Sequence, residues 1–174
     1  MITVLMATYQ GRQYLEQQLD TILAQTVPVK ILISDDGSDD GTREMLDNYA
    51  GWYPEQVVLH HRTEHTGGAA GNFFWLMQEA LKDEKNEYIL FSDQDDVWEN
   101  DKVSVMLHRM KVLEKGLGSA CPILLYSDME VVDEELYEIS PSFASYTHQD
   151  PDRSSFAELL VENQVTGGAS MINR

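Results

Sequence analysis

Apolar positions along the chain fall into two alternating periods. Short aliphatic and β-branched runs at 2–6, 29–33, 57–61, 88–91 and 123–126 have the length of buried strands. Helix-period stretches separate them. Residues 12–25 put Tyr14, Leu15, Leu19, Ile22 and Leu23 on one face, and residues 40–49 turn Met45, Leu46 and Tyr49 inward. Residues 71–82 carry Phe74, Leu76, Met77 and Leu81, and residues 100–115 carry Val103, Met106, Leu107 and Met110. This alternation predicts an α/β fold, a mostly parallel sheet flanked by helices on both faces, in a single domain over 1–174. Gly116-Leu117-Gly118 marks a local break. After Asp128 the pattern loosens. Residues 140–155 read as a polar, mobile loop and 156–161 as a short helix. The apolar stretch that opens at Gly167 has no closing helix, which predicts that the chain is truncated at its C-terminus.

Composition narrows the range of partners. The 174 residues are 43% hydrophobic, as in a globular domain, and 30 acidic against 12 basic residues give a net charge of −18. Such a charge repels nucleic-acid phosphates, so no nucleic-acid partner is expected. Any phosphate-bearing ligand needs a local cation. Cys121 is the single cysteine and cannot form an internal disulfide. No basic leader and no apolar run of spanning length occurs. The expectation is a cytoplasmic protein without a transmembrane segment, lying at most against the inner face of the membrane.

Ligands of open parallel sheets bind beyond the carboxyl ends of the strands. Those ends carry Ala7-Thr8-Tyr9-Gln10-Gly11, then Asp35-Asp36-Gly37-Ser38-Asp39-Asp40-Gly41-Thr42, then Ser92-Asp93-Gln94-Asp95-Asp96. Acidic groups thus gather on one edge, at a cost unless a cation or hydrogen-bond donors balance them. Asp93, Asp95 and Asp96 are hard oxygen ligands suited to Mg2+ or Mn2+. A metal bridging to a diphosphate would reverse the local charge. One of the three aspartates is also free to cap the following helix.

Other segments keep two readings each. Residues 35–42 suit a turn that caps a helix, and also a carboxylate accepting from a base N–H. Asp36, Ser38, Asp40, Gly41 and Asp47 follow part of a calcium-loop spacing, but a strand precedes the loop and Asp47 stands where Glu is usual. Gly67-Gly68-Ala69-Ala70-Gly71-Asn72 opens a helix whose amides suit an anion, or is a plain turn. No Gly-x-Gly-x-x-Gly follows the first strand, which argues against a dinucleotide-binding dehydrogenase. His60, His61, His65, His108 and His148 lack zinc-ligand spacing. Trp98 is expected to pack beneath the acidic loop.

Ala7-Thr8-Tyr9-Gln10-Gly11, Asp35-Asp36-Gly37-Ser38-x-x-Gly41-Thr42 and Asp93-x-Asp95-Asp96, in this order, resemble the family 2 glycosyltransferases of GT-A (Rossmann-like) fold. Phe91-Ser-Asp-Gln-Asp-Asp-Val-Trp98, Tyr126-Ser127-Asp128 and Val165-Thr166-Gly167-Gly168 resemble more narrowly the bacterial rhamnosyltransferases of cell-surface polysaccharide synthesis. The resemblance implies inverting transfer of a sugar from a nucleotide-diphosphate donor, dTDP-rhamnose among the candidates, to a saccharide or lipid-linked saccharide hydroxyl. It implies that Tyr9 and Asp36 hold the base, with Ala7, Thr8, Arg62 and Gln94 near the nucleotide. Asp93 would lie at the ribose and, with Asp95, at the metal. Asp96, Asp128, Thr166, Gly167 and Gly168 would lie toward the sugar or acceptor. Inversion needs a general base. In the family it follows the Gly-Gly segment, so the catalytic base is expected beyond Arg174, and slow or absent turnover with it. Two alternatives stand beside this. Asp93-x-Asp95-x-Val97 after an apolar strand fits a haloacid-dehalogenase-type phosphatase with Asp93 as nucleophile and Asp95 as acid, leaving Asp35 and Asp36 unexplained. A non-enzymatic calcium- or sugar-binding module would bind metal without nucleotide.

Overall fold

The structure is a computed structural model that describes residues 1–62, 67–150, 155, 157 and 165–174. Five strands and four main helices follow one another as β1 (Ile2–Thr8), α1 (Leu15–Leu23), β2 (Lys30–Asp35), α2 (Thr42–Trp52), β3 (Val57–His61), α3 (Ala69–Ala80), β4 (Tyr88–Ser92), α4 (Lys102–Leu117) and β5 (Leu124–Tyr126). A short hairpin, β6 (Val131–Val132) and β7 (Glu138–Ser140), and one turn of helix, α5 (Phe143–Tyr146), come next. A 3-10 turn at Gly167–Ala169 leads into β8 (Ser170–Asn173).

The main sheet has the order β3-β2-β1-β4-β8-β5. β1 pairs in parallel with β2 and β4, and β2 pairs in parallel with β3. Side chains alternate across the sheet and are buried on both faces, as a doubly covered sheet requires. Val4, Met6, Ile31, Ile33 and Leu90 join Leu15, Leu19, Ile22, Met45, Leu46, Val103, Met106 and Met110 in one core layer. Leu5, Leu32 and Ile89 meet Leu76 and Ala80 of α3 on the other face. The chain therefore builds outward from β1 in one direction, then crosses over through α3 and resumes on the other side with β4. That reversal beside β1 is where such sheets open a crevice at their carboxyl ends.

Three expectations change. The apolar stretch after Gly167 is an integral strand: β8 lies antiparallel between β4 and β5, with Leu90 opposite Met171 and Leu125 opposite Met171. It makes the sheet mixed. In α3 the buried stripe is Asn72, Leu76 and Ala80, and of the apolar residues assigned to this stretch Phe74 and Leu81 are 61% and 44% exposed. Phe74 lies roughly 200° around the helix from Asn72, at about 100° per residue. Third, the loop expected over 140–155 begins at the last residue of β7 and holds the helical turn α5. The expected helix at 156–161, apart from residue 157, and His65 lie outside the described residues.

Candidate functional site

The loop after β2 separates two adjacent aspartates. Asp35 is fully buried. Its carboxylate accepts from Thr8 Oγ1 (3.1 Å), Gly37 N (3.2 Å), Ser38 N (3.0 Å) and Ser38 Oγ (2.5 Å), and pairs with Arg43 Nε at 3.1 Å. Every lone pair is committed to the fold, so Asp35 builds the turn. Asp40 accepts from Thr42 N at 3.0 Å and from Arg12 N at 3.1 Å. Burial acts to raise the Asp40 pKa, but hydrogen bonds from Thr42 and Arg12 outweigh it and hold it below the ordinary carboxylate value. Gly37 and Gly41 take φ of +91° and +96°, which the turn needs and glycine supplies. Asp36 remains, 7% exposed, facing the cleft described below. Turn and candidate ligand thus coexist in one loop. The calcium-loop spacing does not: Asp40 is committed to amides, and Asp47 pairs with His61 Nε2 at 2.8 Å.

The loop after β4 is anchored from below by a residue outside the motifs. Gln18 of α1 is fully buried on the apolar face beside Leu15, Leu19 and Ile22. With its amide oriented to suit all its neighbours, it donates to the Asp96 carbonyl and accepts from Ser92 Oγ (2.6 Å) and Trp98 Nε1 (3.2 Å). Trp98 is 2% exposed and packs beneath the loop, as expected. Lys102 places its Nζ 4.1 Å from the Trp98 ring centre and donates to the Gly168 carbonyl at 2.9 Å. Burial lowers the Lys102 pKa to about 8, with the Asp96 charge opposing. A methyl on Gly168 would stand 2.5 Å from Asp96 Oδ2 and 3.2 Å from Asp93 Oδ2, so only glycine fits against this carboxylate pair.

Burial pushes the Asp93 carboxyl above its ordinary value, and the Asp95 charge pushes it further, against a hydrogen bond from the Gly168 backbone. Asp96 is raised by burial and by Asp93, with Lys102 opposing. The contacts from Gln18, Lys102 and Gly168 therefore hold the loop in an arrangement that like charges disfavour.

One cleft of about 690 Å³ brings most of the candidates together. Ala7, Thr8, Tyr9, Asp36, Asp93, Gln94 and Asp95 line it, with Gly67, Gly68, Ala69 and Asn72 opposite. The strand registers explain the convergence: Thr8 of β1 pairs with Asp35 of β2, and Met6 of β1 with Ser92 of β4. Arg62 does not line the cleft; its guanidinium lies over the Trp75 ring at 4.5 Å. Asp128 and Thr166 line a separate cavity of about 60 Å³ with Tyr126, Phe143 and Gln149. Asp128 accepts from Met129 N (2.9 Å) and Ala144 N (3.1 Å). Burial acts to raise its pKa, but those bonds and one with Ser142 hold it down. Gly167 and Gly168 form the turn behind the acidic loop, because β8 runs antiparallel and so begins at this edge.

The donor set fits a divalent cation. Asp93 and Asp95 face the cleft with mutual repulsion, and no Lys or Arg is among the described residues lining it. Two carboxylates leave positions for phosphate oxygens, the usual manner in which Mg2+ is held. Among the described residues no group of three or more His, Cys, Asp or Glu converges as a complete metal cage. Sequence reasoning missed Gln18 and Lys102. A Gln at a core-facing helical position was the available signal for Gln18.

A family description, glycosyl transferase family 2, matches residues 3–163, and the chain belongs to that family. It is 39% identical over 99 residues to the dTDP-rhamnosyl transferase RfbG of Shigella flexneri, covering 56% of this chain and 34% of that protein. It is 31% identical over 177 residues to the putative teichuronic acid biosynthesis glycosyltransferase TuaG of Bacillus subtilis (strain 168), covering 99% of this chain and 66% of that one. The chain thus spans a third to two thirds of these relatives. Its fold is that of GT-A transferases: TarS 1-349 of S. aureus in complex with UDP aligns with a TM-score of 0.57 at 18% identity, over 76% of this chain and 36% of that one. The mannosyltransferase PcManGT from Pyrobaculum calidifontis, in complex with GDP-Man and Mn2+, aligns with a TM-score of 0.50 at 26% identity, over 61% and 31%. The phosphatase and calcium-module readings gain no support from these likenesses.

Proposed function

We propose that the cleft binds a nucleoside-diphosphate sugar together with Mg2+ or Mn2+, and that the protein transfers the sugar with inversion to a hydroxyl of a saccharide or lipid-linked saccharide during cell-surface polysaccharide synthesis. One observation carries this reading. Carboxylates flank Thr8 on both sides, Asp36 after β2 and Asp93 and Asp95 after β4, in a cleft whose described lining has no basic side chain. An anionic donor enters such a cleft only with a cation.

Asp36 is the acceptor for a base N–H, and Tyr9, 53% exposed at the rim, covers the base alongside Ala7 and Thr8. Asp93 and Asp95 are the residues that would hold the metal, which when bound supplies charge stabilisation to the departing diphosphate. Asp93 also lies on the ribose side. Asp96, Asp128 and Thr166–Gly168 are proposed to act toward the sugar and acceptor. Rhamnose is the favoured sugar because RfbG is a dTDP-rhamnosyl transferase. The general base is left unassigned, since the hydrogen bonds that lower the Asp128 pKa make it a weak one. No described helix is long and apolar enough to cross a membrane. We infer a cytoplasmic reaction, at the inner membrane face where the acceptor is lipid-linked.

A thermal-shift panel of nucleotide sugars with and without Mn2+ tests this, because binding to the native state raises its melting temperature. The expected result is stabilisation only with metal present, greatest for dTDP-rhamnose. No shift with any nucleotide sugar and either metal contradicts the proposal.

A further inference from the structure

The loops after β1 and β4 are joined by one side chain. Tyr9 N donates to Gln94 Oε1 at 2.9 Å, and Gln94 Nε2 donates to Tyr9 O at 3.0 Å. A primary amide thereby meets both main-chain groups of a single residue, as an added strand would. The amide packs directly on Gly11: a methyl there would overlap Gln94 Oε1 and stand 2.5 Å from its Cδ. Gly11 is not among the glycines at positive φ, so its backbone has no need of glycine. The space for the amide does.

We propose that Gln94 is a positioning residue rather than a nucleotide ligand: its amide latches the Tyr9 main chain to the acidic loop, so that base-side and metal-side residues form one preorganised surface, and residue 11 is glycine to admit it. This rests on reading the cleft as a nucleoside-diphosphate and metal site. Gln94 stands between Asp93 and Asp95 in the chain, so fixing its side chain on Tyr9 fixes the carboxylates relative to the β1 loop. Preorganisation of this kind raises affinity by removing the cost of ordering the loops on binding.

The inference is tested with Gln94→Ala, Gly11→Ala and the double variant. The Gly11 methyl meets the flexible end of a side chain, so Gly11→Ala opens the latch while the fold persists; equal melting temperatures check that. Tyr9 amide hydrogen exchange is followed by NMR in ligand-free protein. Affinity for thymidine diphosphate with Mn2+ is measured by calorimetry. Each single variant should speed Tyr9 exchange at least about tenfold and weaken binding about tenfold, the loss expected for an interaction of this size. The double variant should match Gln94→Ala alone, because truncation removes the group that the Gly11 methyl strikes. Weakened binding in Gln94→Ala with unchanged Tyr9 exchange would instead mark Gln94 as a direct ligand and overturn the latch. So would a silent Gly11→Ala, or losses that multiply in the double variant. A native protein that binds no nucleoside diphosphate overturns the site reading itself, and the role of the latch with it. Native binding that all three variants retain overturns the latch alone.

Discussion

Asp35 and Asp36 are neighbours in sequence and differ in what surrounds their carboxylates. Asp35 is enclosed by Thr8, Gly37, Ser38 and Arg43, all directing hydrogen atoms at it. Removing it leaves the buried donors of Thr8, Gly37 and Ser38 without their acceptor, so Asp35→Ala should cost about 3–5 kcal/mol of stability. Asp36→Asn should weaken nucleotide binding, the base N–H losing its carboxylate acceptor. Chemical denaturation of both variants, beside their nucleotide affinities, separates the two roles. The doublet itself was legible in the sequence, and so was the pair of readings for it. The resemblance pointed to Asp36 for the base, but that Asp35 is the carboxylate building the turn was not legible, because it depends on which side chain the turn encloses.

At the scale of elements, β1 to β4 and the four helices followed from periodicity because each buries apolar side chains, whereas β5 leaves Leu124 53% exposed. The ends of those elements lay within a few residues of expectation. β8 was not legible as a sheet member. Its four residues have no helix to mark them, and their neighbours Leu90 and Leu125 are distant in sequence. Its insertion between β4 and β5 stabilises the edge of the sheet and places the Gly167–Gly168 turn against Asp93 and Asp96. Met171 is fully buried at its centre. Met171→Ala should therefore cost about 2–5 kcal/mol, measured by denaturant unfolding. The support beneath the acidic loop was equally hidden. Gln18 and Lys102 lie far from the motifs in sequence and are ordinary helix residues until the fold brings them under Trp98 and Gly168.

The whole molecule carries a net charge of −18, and its cleft concentrates part of it. Carboxyls here shift in opposite directions, which gives pH dependence of both signs. Asp40 and Asp128 lie below the ordinary value, so their contribution is present above it and is lost as pH falls through their folded pKa values. Asp93 and Asp96 lie above it, so theirs is full below the ordinary value and is lost as pH rises through their folded pKa values. Without metal, Asp96→Asn should raise the melting temperature at neutral pH and flatten its decline above the ordinary carboxylate range, seen by thermal denaturation across pH. The same repulsion is what a bound cation would relieve, and it links the electrostatics of the fold to its function. Calorimetric titration of thymidine diphosphate into the native protein and into Asp95→Ala, each with and without Mn2+, tests that link most directly. The account predicts binding by the native protein only when Mn2+ is present, and none by Asp95→Ala in either condition. Equal affinity with and without Mn2+, or unchanged metal-dependent affinity in Asp95→Ala, would contradict it.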